Sequence, residues 1–114
     1  MICEKVLDPL SPDLATTYNN IGNVYLAQGK NEEALKWLDK ALAIREKVLD
    51  PLHPDLASSY SNIGVAYVGM KIYEEALEYF EKALPGYIKS YGEKHKNTNI
   101  LKQWMEECKQ ALGE

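Results

Sequence analysis

Apolar residues recur along the chain at helical spacing. Leu14, Tyr18, Ile21, Tyr25 and Leu26 lie one, three or four residues apart, which gathers their side chains on one face of an α-helix. A polar break at Gln28-Gly29-Lys30 follows. A second stripe then opens with Ala34, Leu35, Leu38, Ala41 and Leu42 and continues to Val48 and Leu49. The pattern predicts one helix from Pro12 to near Gln28 and a second from about residue 31 to about 49. Asp50-Pro51 stops the second, because proline disfavours helical backbone at the residue before it. Pro12 suits a first helical turn, where an N–H would have no partner anyway. Ser11 before it is a strong N-cap, and Asp13 sets negative charge at the positive end of the helix dipole.

The whole plan returns after 42 residues. Segments 4–42 and 46–84 share 23 identities in 39 positions, which is duplication. Two differences disturb the copy. His53 replaces Ser11 and is expected to be a poor N-cap. Pro85-Gly86 replaces Ala43-Ile44 inside the long second helix, where proline costs about 3 kcal/mol, so a kink or break is expected near Leu84. A last helix, about 96–112, carries Leu101, Trp104, Met105, Cys108 and Leu112 on one side and polar residues on the other, as a capping helix would. The expected organisation is a single domain: 1–10 as the end of a preceding helix, 11–50 as repeat 1, 51–93 as repeat 2 and 94–114 as the cap.

The positions Tyr18, Ile21, Gly22, Tyr25, Ala34 and Leu38, repeated as Tyr60, Ile63, Gly64, Tyr67, Ala76 and Phe80, resemble the tetratricopeptide (TPR) motif. Gly22 and Gly64 are read as sites of close helix approach, Ala34 and Ala76 as their small partners, and the aromatic residues as filling between hairpins. The period of 42 and the run Ala43-Ile44-Arg45-Glu46-Lys47-Val48-Leu49, with His53-Pro54-Asp55 and Tyr60-x-Asn62 after it, resemble the kinesin light chain subclass. HEAT and armadillo repeats have similar periods but lack this Tyr/Ile-Gly/Tyr spacing. The resemblance implies an all-α fold, a right-handed superhelix (α-solenoid) of antiparallel helix hairpins with two TPR-like repeats and a C-terminal capping helix.

In such an array the first helices of successive hairpins line a concave groove. The lining expected here is Thr16, Asn19, Asn20, Asn23, Leu26 and Ala27 from the first, and Ser58, Ser61, Asn62, Val65, Val68 and Gly69 from the second. It is polar, small and uncharged. An asparagine amide both donates and accepts, so a row of them can hold an extended peptide backbone. The resemblance gives that role to Asn20 and Asn62. The basic residues that accompany such asparagines and capture acidic peptides are absent, since neither first helix contains Lys or Arg. Trp37 and Tyr79 hold equivalent places in the second helices and are expected to pack against the next hairpin.

Charge and candidate chemistry narrow the function further. The net charge of −4 argues against nucleic acid, which needs clustered cations. No apolar run is long enough to span a membrane. His53 and His95 have no second ligand at metal spacing, and the Glu32-Glu33 and Glu74-Glu75 pairs sit in first turns, where acids favour the dipole. No enzyme, metal or cofactor is expected. Cys3 and Cys108 suit a reduced, cytoplasmic protein, with a disulfide between them as the less favoured alternative.

The start at Ile2-Cys3-Glu4-Lys5-Val6-Leu7 matches the end of a second helix, so the chain reads either as a piece of a longer array or as one whose first face is covered by something else. An exposed repeat end of Val6, Leu7, Leu10, Leu14 and Val24 is expected to promote self-association, head to head or by hairpin exchange. Two functions remain open: an adaptor or scaffold that binds a short extended peptide or partner protein in its groove, and a self-assembly segment that oligomerises through its repeat ends.

Overall fold

Five α-helices make up the computed structural model, which describes residues 11–113. They are α1 (Pro12–Ala27), α2 (Asn31–Val48), α3 (Pro54–Gly69), α4 (Tyr73–Tyr91) and α5 (Lys96–Ala111). The helix ends follow local chemistry. Ser11 Oγ accepts from the Asp13 N–H at 3.2 Å, capping α1. His53 Nδ1 accepts from the Asp55 N–H at 3.0 Å and His95 Nδ1 from the Asn97 N–H at 3.0 Å. His53 is therefore an effective cap, contrary to expectation. An imidazole nitrogen without a proton is an acceptor, and His53 has nearly the backbone angles of Ser11 (φ −65°, ψ 137° against −67°, 131°).

The two hairpins close through the same turn. The Lys30 N–H donates to the Tyr25 carbonyl and the Ile72 N–H to the Tyr67 carbonyl, both at 2.9 Å. Each turn needs one left-handed residue. Gly29 supplies it at φ 76°, while the second turn places Lys71 at φ 62°. Between hairpins, the Leu52 N–H donates to Asp50 Oδ1 at 2.9 Å, so Asp50 shapes the bend that Pro51 enforces.

The break expected near Leu84 does not occur. α4 runs unbroken from Tyr73 to Tyr91 with Pro85 inside it. Pro85 is exposed, so water can satisfy the carbonyl that loses its donor. Gly86 behind it is buried against α3, where an added methyl would lie 2.8 Å from the Ala57 methyl.

Successive helices pack, giving an all-α superhelical stack of antiparallel hairpins whose core is a row of clusters rather than one mass. Ala15, Ala41 and Ile44 form the first. Ala34, Leu38 and Leu42 meet Leu56 and Ile63 in the second, at the junction of the hairpins. Ala57, Ala76, Phe80 and Ala83 meet Leu101 and Cys108 of α5 in the third. Tyr60 and Tyr67 touch both of the last two clusters, filling the space between hairpins. Within each hairpin a glycine sets the approach: a methyl on Gly22 would lie 2.7 Å from Leu38 Cγ, and one on Gly64 2.5 Å from Phe80 Cε1. Both small partners, Ala34 and Ala76, are fully buried.

Tyr79 faces backwards rather than towards the next hairpin, and Trp37 packs within its own hairpin. Trp37 packs on Tyr18 of its own hairpin, with ring centres 5.7 Å apart and Lys40 Nζ 4.7 Å from its ring centre. Tyr79 packs on Tyr60 and Tyr67 and against the junction cluster of the preceding hairpin. Beside the apolar junction cluster, Arg45 near the end of α2 also reaches the next hairpin, bonding α3. The helix expected at 1–10, the Val6, Leu7 and Leu10 part of the apolar end, and Cys3 with its disulfide alternative lie outside the described residues.

Candidate functional site

The open faces of α1 and α3 separate the expected lining into three groups. Thr16, Asn20 and Asn23 are exposed, as is Ala27. Leu26, Ser58, Asn62, Val65 and Val68 are half-buried. Asn19 and Ser61, which are equivalent positions, are only 7% and 3% exposed. These two are buried supports behind the open lining. Asn62 Nδ2 donates to Asn19 Oδ1 at 3.3 Å, so the Asn19 amide joins α1 to α3 and orients Asn62. Ser61 lies against the half-buried Tyr87 of α4, whose phenol is pushed up chiefly by burial, while a hydrogen bond with Ser61 acts the other way. Thr16 bonds its own helix, its hydroxyl donating to the Pro12 carbonyl at 3.1 Å. The exposed amides of Asn20 and Asn23 lie one turn apart on α1, and Asn62 stands on α3 across the gap that the Asn19 bond bridges.

A cleft that the sequence did not reveal opens further along. Val65 and Val68 of α3, Tyr73 and Phe80 of α4, and Trp104, Glu107, Cys108 and Ala111 of α5 enclose about 350 Å³. Trp104 packs its ring on Phe80, with centres 5.5 Å apart. Burial pushes the Cys108 thiol up, and the nearby Glu107 carboxylate adds to the shift, so this sulfur is a poor nucleophile. Extending the 42-residue register once more gives these residues their places, though not the cavity: it sets Trp104 at the position of Asn62, Glu107 at that of Val65 and Cys108 at that of Ala66. α5 thus stands where the first helix of a third hairpin would stand.

Among the described residues no group of three His, Cys, Asp or Glu could hold a metal ion, and no helix is long and apolar enough to cross a membrane. Glu32, Glu33 and Glu74 are exposed on first turns, with Glu33 3.7 Å from Lys36.

The sequence model described as tetratricopeptide repeat matches residues 13–89. The chain belongs to the tetratricopeptide repeat family. Two solved structures of a putative kinesin light chain from Podosopora anserina with nearly identical TPR-like repeats, one of them a point variant, superpose on it with a TM-score of 0.88. They are 24% and 25% identical and match 98% of this chain. The chain spans about half, 53%, of the length of those two structures. No curated protein gives a significant match. The kinesin light chain-like form of the TPR repeat, expected from the sequence, agrees with both neighbours. TPR arrays are scaffold folds and protein–protein interaction modules.

Proposed function

We propose that this TPR array holds a short, extended peptide segment of a partner protein along the open faces of α1 and α3. The observation that carries this reading is the row of Asn20, Asn23 and Asn62, two of them exposed and the third oriented by the buried Asn19 amide. Amides placed this way can donate to and accept from one peptide unit without selecting its side chains. The absence of Lys and Arg from both first helices disfavours an acidic tail as the ligand. A groove of this size with few anchors suits affinities on the order of micromolar to tens of micromolar. A positional-scanning library of nonapeptides, read by fluorescence polarisation, tests the reading. Binders should emerge, and Asn62→Ala should weaken them about three- to tenfold, the loss of one or two hydrogen bonds. A library without a single binder would remove the groove from consideration.

One observation favours self-assembly as a second reading. Val24 on α1 is 57% exposed, whereas its repeat equivalents Ala66 and Cys108 are buried by the helices packed on them. A second copy covering that face would give a concentration-dependent mass in light scattering that Val24→Asp abolishes. A constant monomer mass from about 1 to 100 µM would exclude it.

A further inference from the structure

We propose that the cleft between α3, α4 and α5 is the anchor pocket of this groove, and that it takes a bulky apolar side chain followed closely by a cationic residue in the partner's peptide. The proposal rests on the peptide-binding reading above. At about 350 Å³ the cleft lies at the low end of ligand pockets, about 300–1,000 Å³, which suits one large side chain. Its walls are the side chains of Val65, Val68, Tyr73, Phe80 and Trp104, closed beneath by Cys108. Val65 lies one turn beyond Asn62 on α3, so a backbone held at Asn62 can deliver a side chain directly into the cleft.

The cleft belongs to the second junction. At the first, the place of Ala111 is held by Gly69, and a methyl there would collide with the amide of Asn31, which occupies the place of Tyr73. The first junction thus has a close helix approach at this place, while at the second an aromatic residue and a methyl line the cleft. The charge on the cleft's own lining has one sign, and the exposed Lys71 stands in the α3–α4 turn outside that lining. Glu107 is the only charged residue among those that line the cleft, and α1 and α3 contribute no cation to the groove leading there. A peptide cation beside the inserted side chain gains a partner in Glu107, while a carboxylate in that place meets like charge. Complementarity of this kind selects between ligands more than it adds affinity.

The test uses a fluorescein-labelled glycine–serine nonapeptide with one Trp and an Arg two residues on, beside versions with Glu for Arg and with Ala for Trp. Fluorescence polarisation should rank the Trp–Arg peptide about fivefold or more above the Trp–Glu peptide and about tenfold above the Ala–Arg peptide. Glu107→Lys should reverse the preference for charge. Ala111→Trp fills the mouth from an exposed position, so it should leave the fold intact and weaken the Trp–Arg peptide about tenfold. In ¹⁵N spectra the Trp104 indole N–H should move on binding. Equal or tighter binding of the Trp–Glu peptide, or an Ala111→Trp chain that binds unchanged, would overturn the assignment. So would a peptide that moves the Asn20 and Asn62 signals and leaves Trp104 still, while the groove reading survives. No binding of the Trp–Arg peptide at millimolar concentration also overturns it, and the nonapeptide library then decides the groove separately. Free indole binding as tightly as the peptide would make the cleft a small-molecule site and end the peptide assignment.

Discussion

Arg45 Nη1 donates to the buried hydroxyl of Ser59 at 2.8 Å and to the main-chain carbonyl of Asp55 at 3.0 Å. One side chain near the end of α2 therefore ties the first hairpin to the first turns of the second. It does so from a position only 5% exposed, where burial lowers its pKa and the charge of Asp55 opposes the shift.

Arg45→Met should destabilise the chain by about 1–3 kcal/mol, since it strips a donor from two acceptors, one of them buried. Arg45→Lys should recover only part, because an ammonium is more strongly hydrated than a guanidinium and costs more to bury at this position. Urea denaturation reads this as a lower midpoint at unchanged slope. Wild-type stability in Arg45→Met would show that the hairpins hold together by apolar packing alone.

Gly64→Ala places a methyl 2.5 Å from Cε1 of the fully buried Phe80 ring, which has little room to move. The expected loss is about 1–3 kcal/mol, as for overpacked cores. Gly22→Ala meets Cγ and Cδ2 of the buried Leu38 at 2.7 Å instead, a slightly longer approach to a smaller side chain, and should lose less. Thermal melts of the two variants give the order, and a larger drop for Gly22→Ala would contradict it.

Pro85→Ala should stabilise the chain by about 1–3 kcal/mol. Pro85 is exposed within an unbroken helix, the first repeat has Ala43 at that place, and alanine returns an N–H to the helical ladder. Gly86→Ala, one residue on, should do the reverse by pressing on Ala57. A melting temperature that falls in Pro85→Ala would mean that the proline ring itself contributes packing.

Stability should fall steeply at high pH. Burial, and then the hydrogen bond from its hydroxyl to Glu46 Oε2 at 2.9 Å, push Tyr60 up from 10.0 to about 12. Tyr67, Tyr79 and Tyr87 are raised too, each chiefly by burial. A group with a raised folded-state pKa stabilises fully below its unfolded value and loses that contribution as pH rises through the folded one. The Tyr60 share is thus present up to a pH near 10 and disappears on the way to about 12. Urea midpoints measured from pH about 8 to about 11.5 should decline above about 10, less so in Tyr60→Phe. A flat profile would place these phenols in water.

Much of the fold is legible in the sequence because its signals are local or periodic. Pro12 and Pro54 mark first helical turns, and the Gly29 turn parts the hairpin. The 42-residue copy pairs Gly22 with Gly64 and Ala34 with Ala76 wherever the chain folds. His53 departs from expectation because a general ranking of caps overlooks what Nδ1 can accept in a given backbone geometry. At Pro85 the helix does not break, because the cost of a helical proline depends on whether its unpaired carbonyl faces water.

By itself, then, the sequence determined the helices, their pairing into hairpins and the residues that let them approach. Each follows from spacing along one chain segment. Only the tertiary structure decided which polar groups would end inside. Asn19 and Ser61 read as groove lining, and Arg45 only as one member of the run 43–49, until the hairpins stack on them. The cleft beside Trp104 was decided there as well, because its lining comes from three helices that are brought together only when the chain folds.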